Sequence, residues 1–336
     1  MFAHWHTRWA LPALLVLTHA LGTAAADDTN GLSDLPTYRS TVSEVRVTFF
    51  ATDENSHALA TLTKSDFAVV DSERVVRNFR SLAHSEETLL DVVALVDVSE
   101  SVAPRLRAAI SEVRQLVERE QSIPDDNLSV LFFGGTSGGA VEETSGGLLP
   151  AVLCTSGCRA PDSLSRLMAV KSGGVTPLFD ALLFAADFIA KHGRDDRRND
   201  VSHVLILFSD GYDTVSLHSA REALQAVLDE GARIYSVDMG KSEDQSPNQA
   251  SGSMFLRWVS EATGGRYFSL PPHLSQQNGA AAVLSAVLED LRASYVVTYD
   301  LPRRETGFHS LRLLPTHNLN LTFHSRNGYD YKPGVR

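Results

Sequence analysis

From Leu89 onward the chain alternates between short apolar runs and longer amphipathic stretches. "LLDVVALV" has seven apolar residues in eight, the pattern of a strand buried on both faces. Val102, Leu106, Ile110, Val113 and Val117 then recur at helical spacing, before a second buried strand, "LSVLFF" (Leu128 to Phe133). A helix is predicted over Leu178 to Lys191, with Phe179, Leu182, Leu183, Ala186 and Ile189 on one face. Strand "VSHVLILFSD", helix Leu217 to Asp229, strand "RIYSVDMG", helix Met254 to Ala262, strand "RYFSL" and helix Ala280 to Arg292 follow in turn. Buried strands separated by helices point to an α/β fold, a doubly wound and mostly parallel sheet with crossover helices.

Both flanks change to period two. "EVRVTFFATD" puts Val45, Val47 and Phe49 on one face, and short strands are predicted at Phe67 to Val70 and Val75 to Phe79. After the last helix, "SYVVTYDL", "FHSLRLLP" and "LNLTFHSR" read as three antiparallel strands. A three-stranded unit buries little by itself, so the two flanks are expected to pair into one small β domain. That assigns residues 41–86 and 293–332 to a split β domain around an α/β domain at 87–292. The Gly- and Ser-rich stretch from Gly134 to Pro161 is long for a loop, and a hairpin or edge strand is expected around Ala140 to Val152.

The first residues, "MFAHWHTRWALPALLVLTHALGTAAADD", place an apolar run behind Arg8 and small residues at Ala24 and Ala26. This is the layout of a signal peptide over residues 1–26, followed by a flexible leader at 27–40. Cleavage would leave a secreted or periplasmic chain with no membrane span, and an uncleaved segment would anchor it. Cys154 and Cys158 in "CTSGC" are the only two cysteines, a candidate small-loop disulfide in an oxidising compartment. The net charge is −11, with no basic block or basic helix face, which argues against nucleic acid as a partner.

The chemistry-bearing residues gather at strand ends. Asp97, Ser99 and Ser101 spell D-x-S-x-S where the first buried strand stops, though a helix starting near Val102 would accept Ser99 or Ser101 as its N-cap. "GGVTPLFDAL" exposes Thr176 between Gly173, Gly174 and a helix, and "LILFSDGYD" closes another buried strand with Asp210 and Gly211. If those two strands flank the order reversal of the sheet, their carboxyl ends open into one crevice. D-x-S-x-S, a Thr in a loop and an Asp closing a later strand, in that order, resemble the von Willebrand factor type A domain over Thr88 to Arg292. The flanks, with "LTKSDFAVVDSERVVRNF" and "RNGYDYKP", are similar to those of the related domain proteins that bacteria secrete.

The resemblance implies a metal-ion-dependent adhesion site. In it Ser99, Ser101 and Thr176 offer hydroxyl oxygens to the ion, while Asp97 and Asp210 act through water or by fixing the hydroxyls. Mg2+ suits such oxygen ligands, as do Mn2+ and Ca2+, and neutral hydroxyls leave the ion short of negative charge. A carboxylate from a protein partner would complete it. Gly174, Asp180 and Gly211 are expected to shape the loops or lie behind the ligands, while Asp213 and Asp238 also sit near strand ends.

The twelve histidines form no H-x-x-x-H or His/Cys cluster, and a Walker loop and G-x-G-x-x-G after a strand are missing; "GTSGG" at 135–139 has the letters of G-x-S-x-G but is read as part of the Gly- and Ser-rich loop stretch and not as a strand-to-helix elbow. The expectation is therefore a non-enzymatic, extracytoplasmic protein-binding module. The alternatives are an assembly scaffold with a purely structural ion, or a metal-dependent hydrolase.

Overall fold

The computed structural model describes residues 44–84, 89–119, 127–134, 141–144, 147–155, 158–192, 201–240, 247–269 and 279–332. The signal segment at 1–26, the leader at 27–40 and parts of the Gly134 to Pro161 stretch lie outside the described residues. In chain order the elements open with β1 (Glu44–Thr52), β2 (Phe67–Asp71), β3 (Arg74–Val76), β4 (Phe79–His84), β5 (Leu89–Asp97) and α1 (Leu106–Arg119). Next come β6 (Leu128–Phe133), β7 (Val141–Thr144), β8 (Gly147–Cys154), α2 (Pro161–Ala169), α3 (Leu178–His192) and β9 (Val201–Ser209). The chain continues through α4 (Ala220–Asp229), β10 (Arg233–Asp238), α5 (Pro247–Thr263), β11 (Tyr267–Ser269) and α6 (Gly279–Arg292). The tail adds β12 (Tyr295–Asp300), β13 (Gly307–Pro315), β14 (Thr322–Ser325) and β15 (Gly328–Tyr331).

A seven-stranded sheet runs β11-β10-β9-β5-β6-β8-β7, parallel except that β8 pairs antiparallel with both β6 and β7. β5 is central because its apolar residues serve both faces. Val92, Ala94 and Val96 join the core beneath α1, α2 and α6, while Val93 and Leu95 join the core beneath α3, α4 and α5. The chain order reverses between β5 and β9, so the crevice at that reversal is bounded by the carboxyl ends of β5 and β9. At the antiparallel edge Cys154 and Cys158 are joined by a disulfide, with Cα atoms 5.5 Å apart.

The flanks build two four-stranded antiparallel sheets, β14-β1-β12-β4 and β15-β13-β2-β3. Their inward residues share one core in which Phe49 and Phe67 ring centroids lie 4.9 Å apart and Phe67 and Phe79 lie 5.4 Å apart. The tail strands do not pair in sequence, since β12 and β14 each take a side of β1 while β13 lies between β2 and β15.

Several boundaries differ from the periodicity. The stretch Val75 to Phe79 is divided between β3 and β4. Helix α1 starts at Leu106 and not near Val102, because residues 100–105 form tight turns in which Ala103 N donates to Glu100 O and Arg105 N to Val102 O. Helix α4 starts at Ala220 and not at Leu217, because Ser219 and Glu222 form a reciprocal capping box there. Helix α5 begins earlier than Met254, at Pro247, and α2 and β15 carry no period long enough to have signalled them. Among the described residues no helix is long and apolar enough to cross a membrane.

Candidate metal centre

Parallel pairing of β5 with β9 brings Asp97 beside Ser209, and the Ser209 hydroxyl donates to Asp97 Oδ2 at 2.8 Å. The chain turns immediately, and Ser99 N donates back to Asp97 Oδ1 at 2.9 Å. This turn presents Ser99 and Ser101 together, with their Oγ atoms 3.1 Å apart. Among the described residues neither hydroxyl accepts a helix N–H, so neither serves as the N-cap of α1.

The loop before α3 lies directly across this turn. Gly173 N donates to Val98 O at 2.9 Å and Glu100 N to Gly174 O at 3.3 Å. Gly134, just past β6 with φ +87°, occupies the space between: a Cβ there would sit 2.9 Å from Ser99 N and 3.0 Å from Val175 O. Only glycine combines that backbone angle with so close an approach. Gly174, with φ +73°, turns the loop so that Thr176 follows it and is buried, where its place between a Gly pair and a helix predicts exposure.

The connection after β9 locks Thr176 from the other side. Thr176 N donates to Thr214 Oγ1 at 2.8 Å, and Thr214 N returns a bond to Thr176 O at 2.9 Å. The start of α3 is capped from this same connection: Phe179 N and Asp180 N donate to Ser216 Oγ at 3.0 and 3.1 Å, and Asp213 Oδ1 accepts from Phe179 N. These are first-turn donors that a helix cannot satisfy internally. Asp180 reciprocates, with Oδ2 accepting from Leu217 N at 3.0 Å and Oδ1 from His218 N at 3.1 Å. Its carboxylate is thus spent on the β9–α4 connection and shapes that loop. Asp210 accepts from Tyr212 N at 3.2 Å, and Gly211, with φ +76°, turns the chain away from the sheet.

Asp238 has a different task from Asp210. Its Oδ2 accepts from Ser253 Oγ and Tyr267 Oη, both at 2.6 Å, and its Oδ1 accepts from Gly240 N at 2.7 Å, so it ties β10 to α5 and β11. Composition and spacing singled out Asp97, Ser99, Ser101, Thr176 and Asp210 but passed over Gly134, Ser209, Thr214 and Ser216. The S-D-G of "LFSDGYD" and the T-x-S of "DTVSLH" were the available signals for the last three.

The electrostatics favour a cation. Asp97 is wholly buried, and burial, reinforced by the neighbouring Asp210 carboxylate, pushes its carboxyl up to about 7 against the hydrogen bonds from Ser99 and Ser209. Among the described residues neither Asp97 nor Asp210 is ion-paired with Lys, Arg or His. Two neighbouring buried acidic groups without a counter-charge among the described residues, beside two paired hydroxyls, form a set of hard oxygen donors of the kind Mg2+, Mn2+ and Ca2+ accept. Among the described residues no group of three or more His, Cys, Asp or Glu is placed to hold a metal, so hydroxyl oxygens would have to contribute.

The sequence model of the von Willebrand factor type A domain matches residues 91–255. Similar solved structures include an aerotolerance-related membrane protein from Bacteroides fragilis NCTC 9343, 12% identical, covering 60% of this chain and 98% of that one with a TM-score of 0.40. Proximal thread matrix protein 1 from the mussel byssus is 13% identical, with 63% and 50% covered and a TM-score of 0.41. The SpRpn10 VWA domain is 10% identical, with 61% and 97% covered and a TM-score of 0.39. No curated protein matches the chain. The matched stretch contains Asp97, Ser99, Ser101, Thr176 and Asp210 and the whole reversal between β5 and β9, and over residues 91–255 this chain is a von Willebrand factor type A domain.

Proposed function

We propose that the protein is an extracytoplasmic, non-enzymatic binding module that docks an acidic group of a protein partner through a divalent ion, Mg2+ before Mn2+ or Ca2+. Von Willebrand factor type A domains are protein-interaction modules that often use such an ion. The observation that carries the reading is the meeting of the D-x-S-x-S turn, the Thr176 loop and Asp210 at the strand ends, where among the described residues neither Asp97 nor Asp210 pairs with Lys, Arg or His.

In this reading Ser99, Ser101 and Thr176 supply hydroxyl oxygens, and Asp97 and Asp210 orient them and balance the charge. The ion supplies a Lewis-acidic corner for an incoming carboxylate. Ser209 and Ser99 N hold Asp97 in one rotamer, and Thr214 holds the Thr176 backbone. These bonds hold Asp97 and the Thr176 backbone in place without an ion, which would lower the ordering cost of binding one. The export expectation rests on the apolar segment ahead of Ala26.

Calorimetric titration of the chelator-treated protein with Mg2+ and with Mn2+ tests this. Saturable binding at one site is expected, weakened at least about tenfold in Ser99→Ala, the loss of roughly one good ligand. Equal affinity in wild type, Ser99→Ala and Asp210→Asn would remove the site.

A further inference from the structure

One rim of the crevice is apolar. Tyr212, Val215 and Leu217 follow Asp210 in the β9–α4 connection and are exposed, Leu217 with 70% of its surface open. The only charged side chain between residues 211 and 217 is Asp213, and its carboxylate is turned inward onto Phe179 N and Ser216. Helix α5 extends the same surface. A Cβ on Gly211 would meet Gly252 O at 2.2 Å and Leu256 Cγ at 2.8 Å, so Tyr212 emerges beside the turn that bears Met254, 68% exposed. Trp258 follows one turn later, also exposed. Phe179 at the start of α3 packs on Phe255 at 5.1 Å, and Phe255 on Trp258 at 6.0 Å, which joins the crevice to the exposed indole through one row of rings.

Isolated exposed apolar residues are ordinary, but a connected ridge beside a polar crevice is not. Covering these large side chains with apolar surface would be favourable. Between residues 211 and 217 the ridge offers no outward charge, so a charged neighbour in a partner would lose hydration there without a counter-charge; at the far end exposed Arg257, its guanidinium 3.9 Å from the Tyr267 ring centroid, stands between Met254 and Trp258. The crevice itself, once it holds a cation, calls for a carboxylate.

We infer that this ridge receives the large apolar side chains flanking the partner's metal-anchoring carboxylate, so that the recognised segment reads as an acidic residue neighboured by Leu, Ile, Phe or Trp. The inference rests on the metal-dependent reading above. Tyr212, Val215 and Leu217 hold the side nearest the ion, and Met254 and Trp258 hold the far end.

The test is selection of displayed peptides with a fixed central Asp and randomised flanks on the full chain in Mg2+, followed by fluorescence anisotropy with one enriched peptide. Enrichment of large apolar flanks is expected. Leu217→Ser and Trp258→Ser should each weaken that peptide about tenfold, as for a buried anchor at an interface, with Mg2+ affinity alone unchanged. If binding still requires Asp and Mg2+ but the flanks stay random, or the two variants bind like wild type, the ridge inference falls and the metal reading stands. Retention indifferent to chelator and to Ser99→Ala brings down both. Failure to enrich any peptide, or a dimer of the chain that Leu217→Ser dissolves, also overturns the inference, the latter by making a second copy the occupant.

Discussion

At the scale of single residues, the candidate site is held in shape by groups outside the proposed set of oxygen donors. Asp97, Ser99 and Asp210 were readable because acidic and hydroxyl residues interrupt apolar strands abruptly. Gly134 was not readable in the same way: "FFGGTSGGA" contains four glycines, and only the approach of Ser99 and Val175 from distant segments shows which one needs to lack a Cβ. Away from the site, Glu112 on α1 is buried, and burial alone pushes its carboxyl up to about 7 from an ordinary 4.5. The native state therefore binds this proton more tightly than the unfolded chain does. Its stability should be unpenalised below pH 4.5, fall as the pH rises, and level off above about 7. Glu112→Gln removes the titration and should be more stable than wild type by on the order of 2 kcal/mol at about pH 8, with the advantage gone near pH 4.5. Urea midpoints at the two pH values measure this, and an unchanged midpoint at the higher pH would refute the assignment.

At the scale of elements, the α/β alternation was legible because β5, β6 and β9 bury both faces and so read as short continuous runs of Val, Leu and Phe between longer amphipathic stretches. Boundaries were less so. Leu217 fits the apolar stripe of α4, yet Leu217 N and His218 N are recruited by Asp180, and the helix waits for the Ser219 cap. A local period cannot show a carboxylate arriving from another helix. Helix α5 exposes a similar long-range constraint, since a Cβ on Gly252 would stand 2.1 Å from Asp210 O. In a free helix Gly252→Ala would stabilise by about 1 kcal/mol. Here the overlap with backbone should outweigh that gain, because forced overpacking costs about 1 to 3 kcal/mol. Thermal unfolding should show Gly252→Ala below wild type, whereas Ser251→Ala, at an exposed position one residue earlier, should not fall. A Gly252→Ala protein as stable as wild type would mean that α5 is free to shift away from the strand end.

At the scale of the whole molecule, the pairing of the two flanks was legible only in outline. Neither end holds enough strands to bury a face alone, which argued for their union, but the register is written in contacts more than two hundred residues apart. Asp71 is the clearest of these. It is fully buried at the end of β2, and its Oδ2 accepts from Tyr299 Oη on β12 at 2.8 Å and from Tyr329 Oη on β15 at 2.6 Å. Burial, with the Asp71 charge beside them, drives both phenols well above their usual ionisation range, so both remain donors at all working pH values. One carboxylate thereby ties the first flank to two strands of the last across both β sheets. Replacing it with alanine strands one buried and one partly buried hydroxyl and removes the carboxylate beside buried His309, 3.4 Å away, and each lost charge-assisted hydrogen bond is worth about 1.5 to 3 kcal/mol. Among the described residues the flank sheets have their own hydrophobic core, which shares no residue with the two cores of the seven-stranded sheet. Asp71→Ala should therefore lower an early urea transition, read from the tyrosines by near-ultraviolet circular dichroism. The later loss of helix, read in the far ultraviolet, should keep its wild-type midpoint. If both signals instead moved together by the same amount, the flanks and the seven-stranded sheet would be a single cooperative unit, and Asp71 would be holding the fold of the whole chain.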